Sequence, residues 1–96
     1  MNIKFRDVSA GIVEARAIIE LMPGVLLNEV TILKKNYELE IELPKKSFKG
    51  KSGKIHFIDV ISFESENRKN LWLVEIKEEY LAWRKKNKKV LIYKAD

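Results

Sequence analysis

Seven residues in the middle of the chain leave the fold little freedom. Tyr37-Glu38-Leu39-Glu40-Ile41-Glu42-Leu43 alternates apolar and acidic side chains without a break. A helix would scatter these two sets around its circumference. An extended strand, whose side chains repeat every second residue, puts Tyr37, Leu39, Ile41 and Leu43 on one face and Glu38, Glu40 and Glu42 on the other. The segment therefore reads as a half-buried strand with a wet glutamate face. It ends at Pro44, which cannot donate to a ladder and is confined to strand ends and edges.

The same period appears upstream. Over Ile12 to Leu21, Ala15, Ala17, Ile19 and Leu21 share one face, and Glu14, Arg16, Ile18 and Glu20 the other. Pro23-Gly24 is a turn signal, and Val25 to Leu33 resumes with β-branched and apolar residues. Lys34-Lys35-Asn36 is the next turn candidate. Three segments joined by short turns predict an antiparallel meander. Ile55 to Ile61 reads as a further short strand after a lysine-rich loop. From Glu66 the period changes to that of a helix: Trp72, Leu73, Ile76, Tyr80 and Trp83 gather on one side, with Glu75, Glu78, Glu79, Lys85 and Lys86 opposite. Ser65 is placed to cap it, Asn87 to close it, and Val90 to Tyr93 reads as a short final strand. The expected class is α+β, an antiparallel β-meander with one C-terminal amphipathic helix packed on it.

The chain has 96 residues, the length of one domain. One helix is a thin cover for such a sheet. Val74 and Leu81 form a second apolar stripe on the flank of the helix, and Ile18, Leu26 and Phe63 lack a burial site in a monomer. Unspent apolar surface of this kind points to a homodimer.

Absences exclude several classes. No cysteine is present, which removes disulfides and thiolate metal sites. No apolar run approaches the roughly 20 residues of a membrane span, and the start of the chain has no apolar signal region. A soluble cytoplasmic protein with no membrane partner is expected. His56 is the only histidine, lies in a strand-like alternation and reads as structural. No catalytic arrangement, metal site, phosphate-cradling glycine motif or cofactor is indicated, so an enzyme is not expected.

The charge is uneven. Residues 1 to 44 carry five basic and seven acidic groups, and residues 45 to 96 carry fourteen basic and seven acidic groups, within a total of +5. Lys45, Lys46, Lys49, Lys51 and Lys54 crowd one stretch with Gly50 and Gly53. Such a loop can grip phosphates, and Phe48 within it can stack on an unpaired base or pin the loop to the core. Equally, it can be a solvated loop whose lysines guard a sheet edge. Arg84, Lys85 and Lys86, followed by Lys88 and Lys89, form a second basic cluster over a tail from residue 84 to 96. It can extend a binding surface or answer the helix dipole.

Val25-Leu26-Leu27-Asn28-Glu29-Val30-Thr31-Ile32-Leu33, then Leu39, Ile41 and Leu43-Pro44 followed by lysine, resembles the SpoVG (stage V sporulation protein G, or septation protein) family. The register holds without a gap from Ala17 through Pro44. Gly53-Lys54-Ile55, Arg68-Lys69-Asn70-Leu71 and Glu79-Tyr80 extend the likeness over about residues 17 to 82. The resemblance implies a small dimeric α+β protein that binds DNA and RNA and regulates programmes such as sporulation and septation. It places the family's basic loop at Lys45-Lys46 and beyond, with Ser47 where the family pattern has arginine. The rival expectation, from the residues alone, is a non-enzymatic protein-interaction or structural module with a solvated basic loop.

Overall fold

The structure is a computed structural model that describes the backbone of residues 1–95 and the side chains of residues 1–87. Four antiparallel strands, β1 (Asn2–Ala10), β2 (Val13–Met22), β3 (Val25–Lys35) and β4 (Glu38–Glu42), form one sheet in chain order. A separate two-stranded hairpin, β5 (Lys45–Lys49) and β6 (Ile55–Asp59), follows. The helix α1 (Glu66–Ala95) comes last. The α+β class and the meander are as expected. The first strand is an addition: Ile3 and Phe5 alternate with Asn2, Lys4 and Arg6, and β1 pairs along β2 from Asn2↔Glu20 to Ala10↔Val13.

The turns follow from their residues. Gly24, with φ of 80°, occupies the position after Pro23 that a tight turn of this type reserves for positive φ. Between β3 and β4 the chain turns at Asn36 and Tyr37, both with positive φ (50° and 67°). That turn matches the twist of a hairpin but needs two left-handed residues in succession. The turn thus lies at Asn36-Tyr37, not Lys34-Lys35-Asn36, and Tyr37 does not face the core. It is 95% exposed, because a residue spent on the second left-handed position no longer belongs to the pleat.

The core lies between the sheet and α1. β2 contributes Ala15, Ala17 and Ile19, β3 contributes Leu27, Val30 and Ile32, β4 contributes Ile41, and α1 contributes Ile76 and Tyr80. Leu27 and Val30 share a face although three residues apart. The register explains this: Ala17 pairs with Val30 and Ile19 with Leu27, so β3 carries an extra residue there. Glu29, at φ of 62°, takes up the bulge. Ile3, Phe5, Leu39, Leu43, Trp72, Leu73 and Trp83 pack around this cluster. Leu21 was expected inward but is exposed near the end of β2.

The helix begins at its expected cap. Ser65 Oγ accepts a hydrogen bond from the Arg68 amide at 3.1 Å, and the Lys69 amide donates to the Ser65 carbonyl at 3.1 Å. It does not close at Asn87, whose side-chain amide instead donates to the Trp83 carbonyl one turn back at 2.8 Å. α1 continues through Val90–Tyr93, replacing the short strand expected there. No glycine or proline interrupts residues 66–95, and a formed helix gains a hydrogen bond for each residue it adds. Phe63 also differs from expectation. It is half-buried on the Trp72 ring, with centroids 5.3 Å apart.

Candidate nucleic-acid interface

Immediately after β4 the chain leaves the sheet. Pro44 is buried and its carbonyl accepts the Val60 amide at 3.2 Å, closing the base of the β5–β6 hairpin. The lysine-rich stretch expected as a loop is half strand: Lys45 to Lys49 pair with Asp59 to Ile55. Its tip is closed by the Gly50 amide to the Lys54 carbonyl at 2.8 Å and the Gly53 amide to the Gly50 carbonyl at 3.0 Å. Gly53 has φ of 82° there. The physical reason for the strand is on the partner side, where Ile55-His56-Phe57-Ile58 has strong β propensity and offers a ladder to Lys45–Lys49.

All ten residues of the two strands are exposed, and among the described residues neither outer edge pairs with another strand. The hairpin is an arm. Alternation sorts its side chains into two faces. Lys45, Ser47 and Lys49 share one with Ile55, Phe57 and Asp59; Lys46 and Phe48 share the other with His56 and Ile58. Lys51 and Lys54 sit in the tip. The five lysines therefore surround the arm instead of forming a single patch, and Asp59 stands directly opposite Lys45.

Phe48 does not reach the core. Its ring stacks on His56 at a centroid distance of 5.2 Å and an interplanar angle of 21°, and it remains about half exposed. The stack is tight against the backbone: a Cβ on Gly50 would lie 2.8 Å from His56 Nε2. His56 is thus an exposed member of the arm, not a core residue.

The second basic cluster divides. Arg84 is committed, since Nη1 donates to Asp7 Oδ1 at 3.0 Å and Nη2 lies 3.7 Å from Glu14 Oε2. Burial opposes its charge, but the bond to Asp7 and the attraction of its neighbours outweigh that and raise its pKa. Lys85 and Lys86 are exposed; the side chains of Lys88 and Lys89 lie outside the described residues. From Glu66 to Lys85 the helix rises roughly 28 Å. Its N-terminal residues Ser65, Glu66 and Lys69 share a cleft with Lys45 and Asp59 at the base of the arm. Lys85 and Lys86 accordingly stand far from that base.

Trp72 and Trp83 are packing residues, as expected, and Phe5 meets Trp83 at 5.6 Å and Tyr80 edge-on at 5.6 Å. Among the described residues no cluster of three histidines or carboxylates could hold a metal ion, and no helix is long and apolar enough to cross a membrane. The chain matches no protein-family model, no curated protein and no solved structure.

Proposed function

We propose that the chain is a non-enzymatic, nucleic-acid-binding regulator of the SpoVG type that works as a homodimer. One observation carries the reading: Lys45, Lys46, Lys49, Lys51 and Lys54 ride on an exposed β-hairpin that is separate from the main sheet. A two-stranded ribbon is slim enough for a DNA major groove about 12 Å wide, and lysines on both faces and the tip meet phosphates on either wall. Ser47 has no guanidinium fork, so the grip is electrostatic, with sequence choice resting on the shape of the arm. In this reading Phe48, half exposed and stacked on His56, meets an unpaired base. Lys85 and Lys86 form a separate, distal contact.

What the arm leaves bare supports the homodimer reading. Ile55, Phe57, Ile58 and Val60 are all more than half exposed, as are Leu71 and Leu81 on the helix, with Val74 half exposed beside them. A lone hairpin is marginally stable in water, and a second subunit would cover these residues. The same bare apolar residues also favour the second reading, an arm that docks on a different protein.

A salt titration on duplex DNA separates the two. If each protomer neutralises two or three phosphates, log affinity falls against log salt with a slope of roughly −4 to −5. Replacing Lys45, Lys46, Lys49, Lys51 and Lys54 together by Ala removes most of that slope. Unchanged binding would move the site off the arm, and absence of binding by the unaltered protein would favour the protein-docking reading.

A further inference from the structure

The face of the sheet turned away from α1 carries a charge arrangement that folding does not ask for. Ile3 and Phe5 pack against the core, so Asn2, Lys4 and Arg6 of β1 project from the opposite side. Arg6 pairs directly with Arg16 of β2, and Lys4 pairs with Ile18 one row along. All three cations are exposed, and among the described residues none makes a side-chain hydrogen bond or ion pair.

Among the described residues no carboxylate forms an ion pair with these cations. Asp7 is on the helix side with Arg84. Glu20 accepts the Asn2 amide at 3.1 Å. Beyond Arg16 the row continues to Thr31 on β3 and only then to Glu42 on β4, two strand spacings or roughly 9.6 Å from Arg16. Glu40 is held by Lys35 at 3.3 Å. Like charges directly opposite each other weaken a strand pair, and among the described residues neither Glu42 nor Glu29, exposed at the β3 bulge opposite Ile18, forms an ion pair with Arg6 or Arg16. An anion from outside would offset the Arg6–Arg16 pair.

We propose that Lys4, Arg6 and Arg16 form a second phosphate-binding surface, separate from the arm, that takes the backbone of a nucleic acid. This rests on the nucleic-acid reading above and adds a site to it. Two guanidinium groups on neighbouring strands can each clamp phosphate oxygens in a fork that lysine cannot make. The surface is isolated from the arm by charge. β4, whose end leads into the arm, presents Glu40 and Glu42 on this same face and repels phosphate. A backbone seated on β1 and β2 therefore does not continue across β4 to the arm, and the protein engages two separate stretches of nucleic acid.

The decisive variant is the full chain with Arg6→Gln and Arg16→Gln together, compared with Arg6→Lys and Arg16→Lys and with the arm variant lacking its five lysines. A labelled DNA duplex is the probe, and thermal unfolding is measured on the same samples. Removing the repulsion leaves Tm level or higher, while the salt slope becomes shallower by about 2 for each protomer whose face is engaged and affinity at low salt weakens roughly 10- to 100-fold. The lysine pair keeps most of the slope. A lower Tm in the glutamine variant would make the arginines structural and overturn the proposal. So would an unchanged slope, and if that variant also lost self-association the face would be a protein interface instead. Should the unaltered protein show no salt-dependent binding, the nucleic-acid reading falls with it; loss of the arm slope alone, with Arg6 and Arg16 silent, overturns only the second surface.

Discussion

Tyr80 donates its hydroxyl to Glu14 Oε2 at 2.9 Å while its ring sits in the core, 1% exposed. Burial first, and the bond to Glu14 second, push its pKa up to about 12. The unfolded phenol ionises near 10. Between the two values the folded chain holds a proton that the unfolded chain has released. Tyr80 therefore stabilises the fold fully below pH 10, and that contribution drains away as pH rises towards 12. A shift of this size corresponds to roughly 2–3 kcal/mol. Urea unfolding midpoints should fall over this window, and Tyr80→Phe should flatten the fall; an equally steep fall in the variant would locate the titration elsewhere. At this scale the sequence was an uneven guide. It placed Tyr80 on the packing face, because helical spacing alone does that. It could not reveal that Tyr37, in the cleanest alternation of the chain, would be diverted into a turn. Nor could it show Arg84 clamped by Asp7, 77 positions away.

Elements were more legible, though not their partners. The helix start is a local matter, since Ser65 needs only its own next three residues to cap it. Ser65→Ala should cost about 1 kcal/mol of stability, measured by urea unfolding, and a loss below a few tenths would mean that the cap is dispensable. The helix end is different: the stop expected at Asn87 failed because nothing local enforces it. β1 shows how a short signal is overlooked. Ile3 and Phe5 alternate with Lys4 and Arg6 over few residues, and the strand then bulges between Asp7 and Ala10, which destroys the period before it becomes conspicuous. The arm shows the opposite failure. Lysines and glycines suggested a loop, yet β propensity in Ile55–Ile58 recruited Lys45–Lys49 into a ladder. The basic site was thus legible as residues and illegible as a shape.

For the molecule as a whole, the question is what covers the arm and the helix flank. The meander and α1 bury one face of the main sheet, and no described element covers the outer faces of β5 and β6. A protein of 11.3 kDa should then scatter light at micromolar concentration with twice that mass. Phe57→Asp should return it to a monomer, since a carboxylate is costly in an apolar interface. A monomeric mass for the unaltered chain would sink the dimer and leave the arm free for another protein. Electrostatics at this scale are divided as well, with lysines around the arm, glutamates along β4, and Lys4, Arg6 and Arg16 across β1 and β2. Composition gave the net charge, but the register of the sheet set these three regions apart.

By itself the sequence determined what depends on near neighbours. That includes the strand period of β2 and β4, the Pro23-Gly24 turn, the Ser65 cap, the apolar face of α1 and the crowding of lysines after Pro44. Each is a property of a few consecutive residues, because backbone geometry repeats every 2 or 3.6 of them. Only the tertiary structure decided which faces meet and which stay bare. The Glu29 bulge that brings Leu27 and Val30 onto one face, the capture of Arg84 by Asp7, the opposition of Arg6 and Arg16, and the isolation of the arm all depend on pairing between distant segments. Register is set by the summed burial of a whole strand, and no short window of sequence contains that sum.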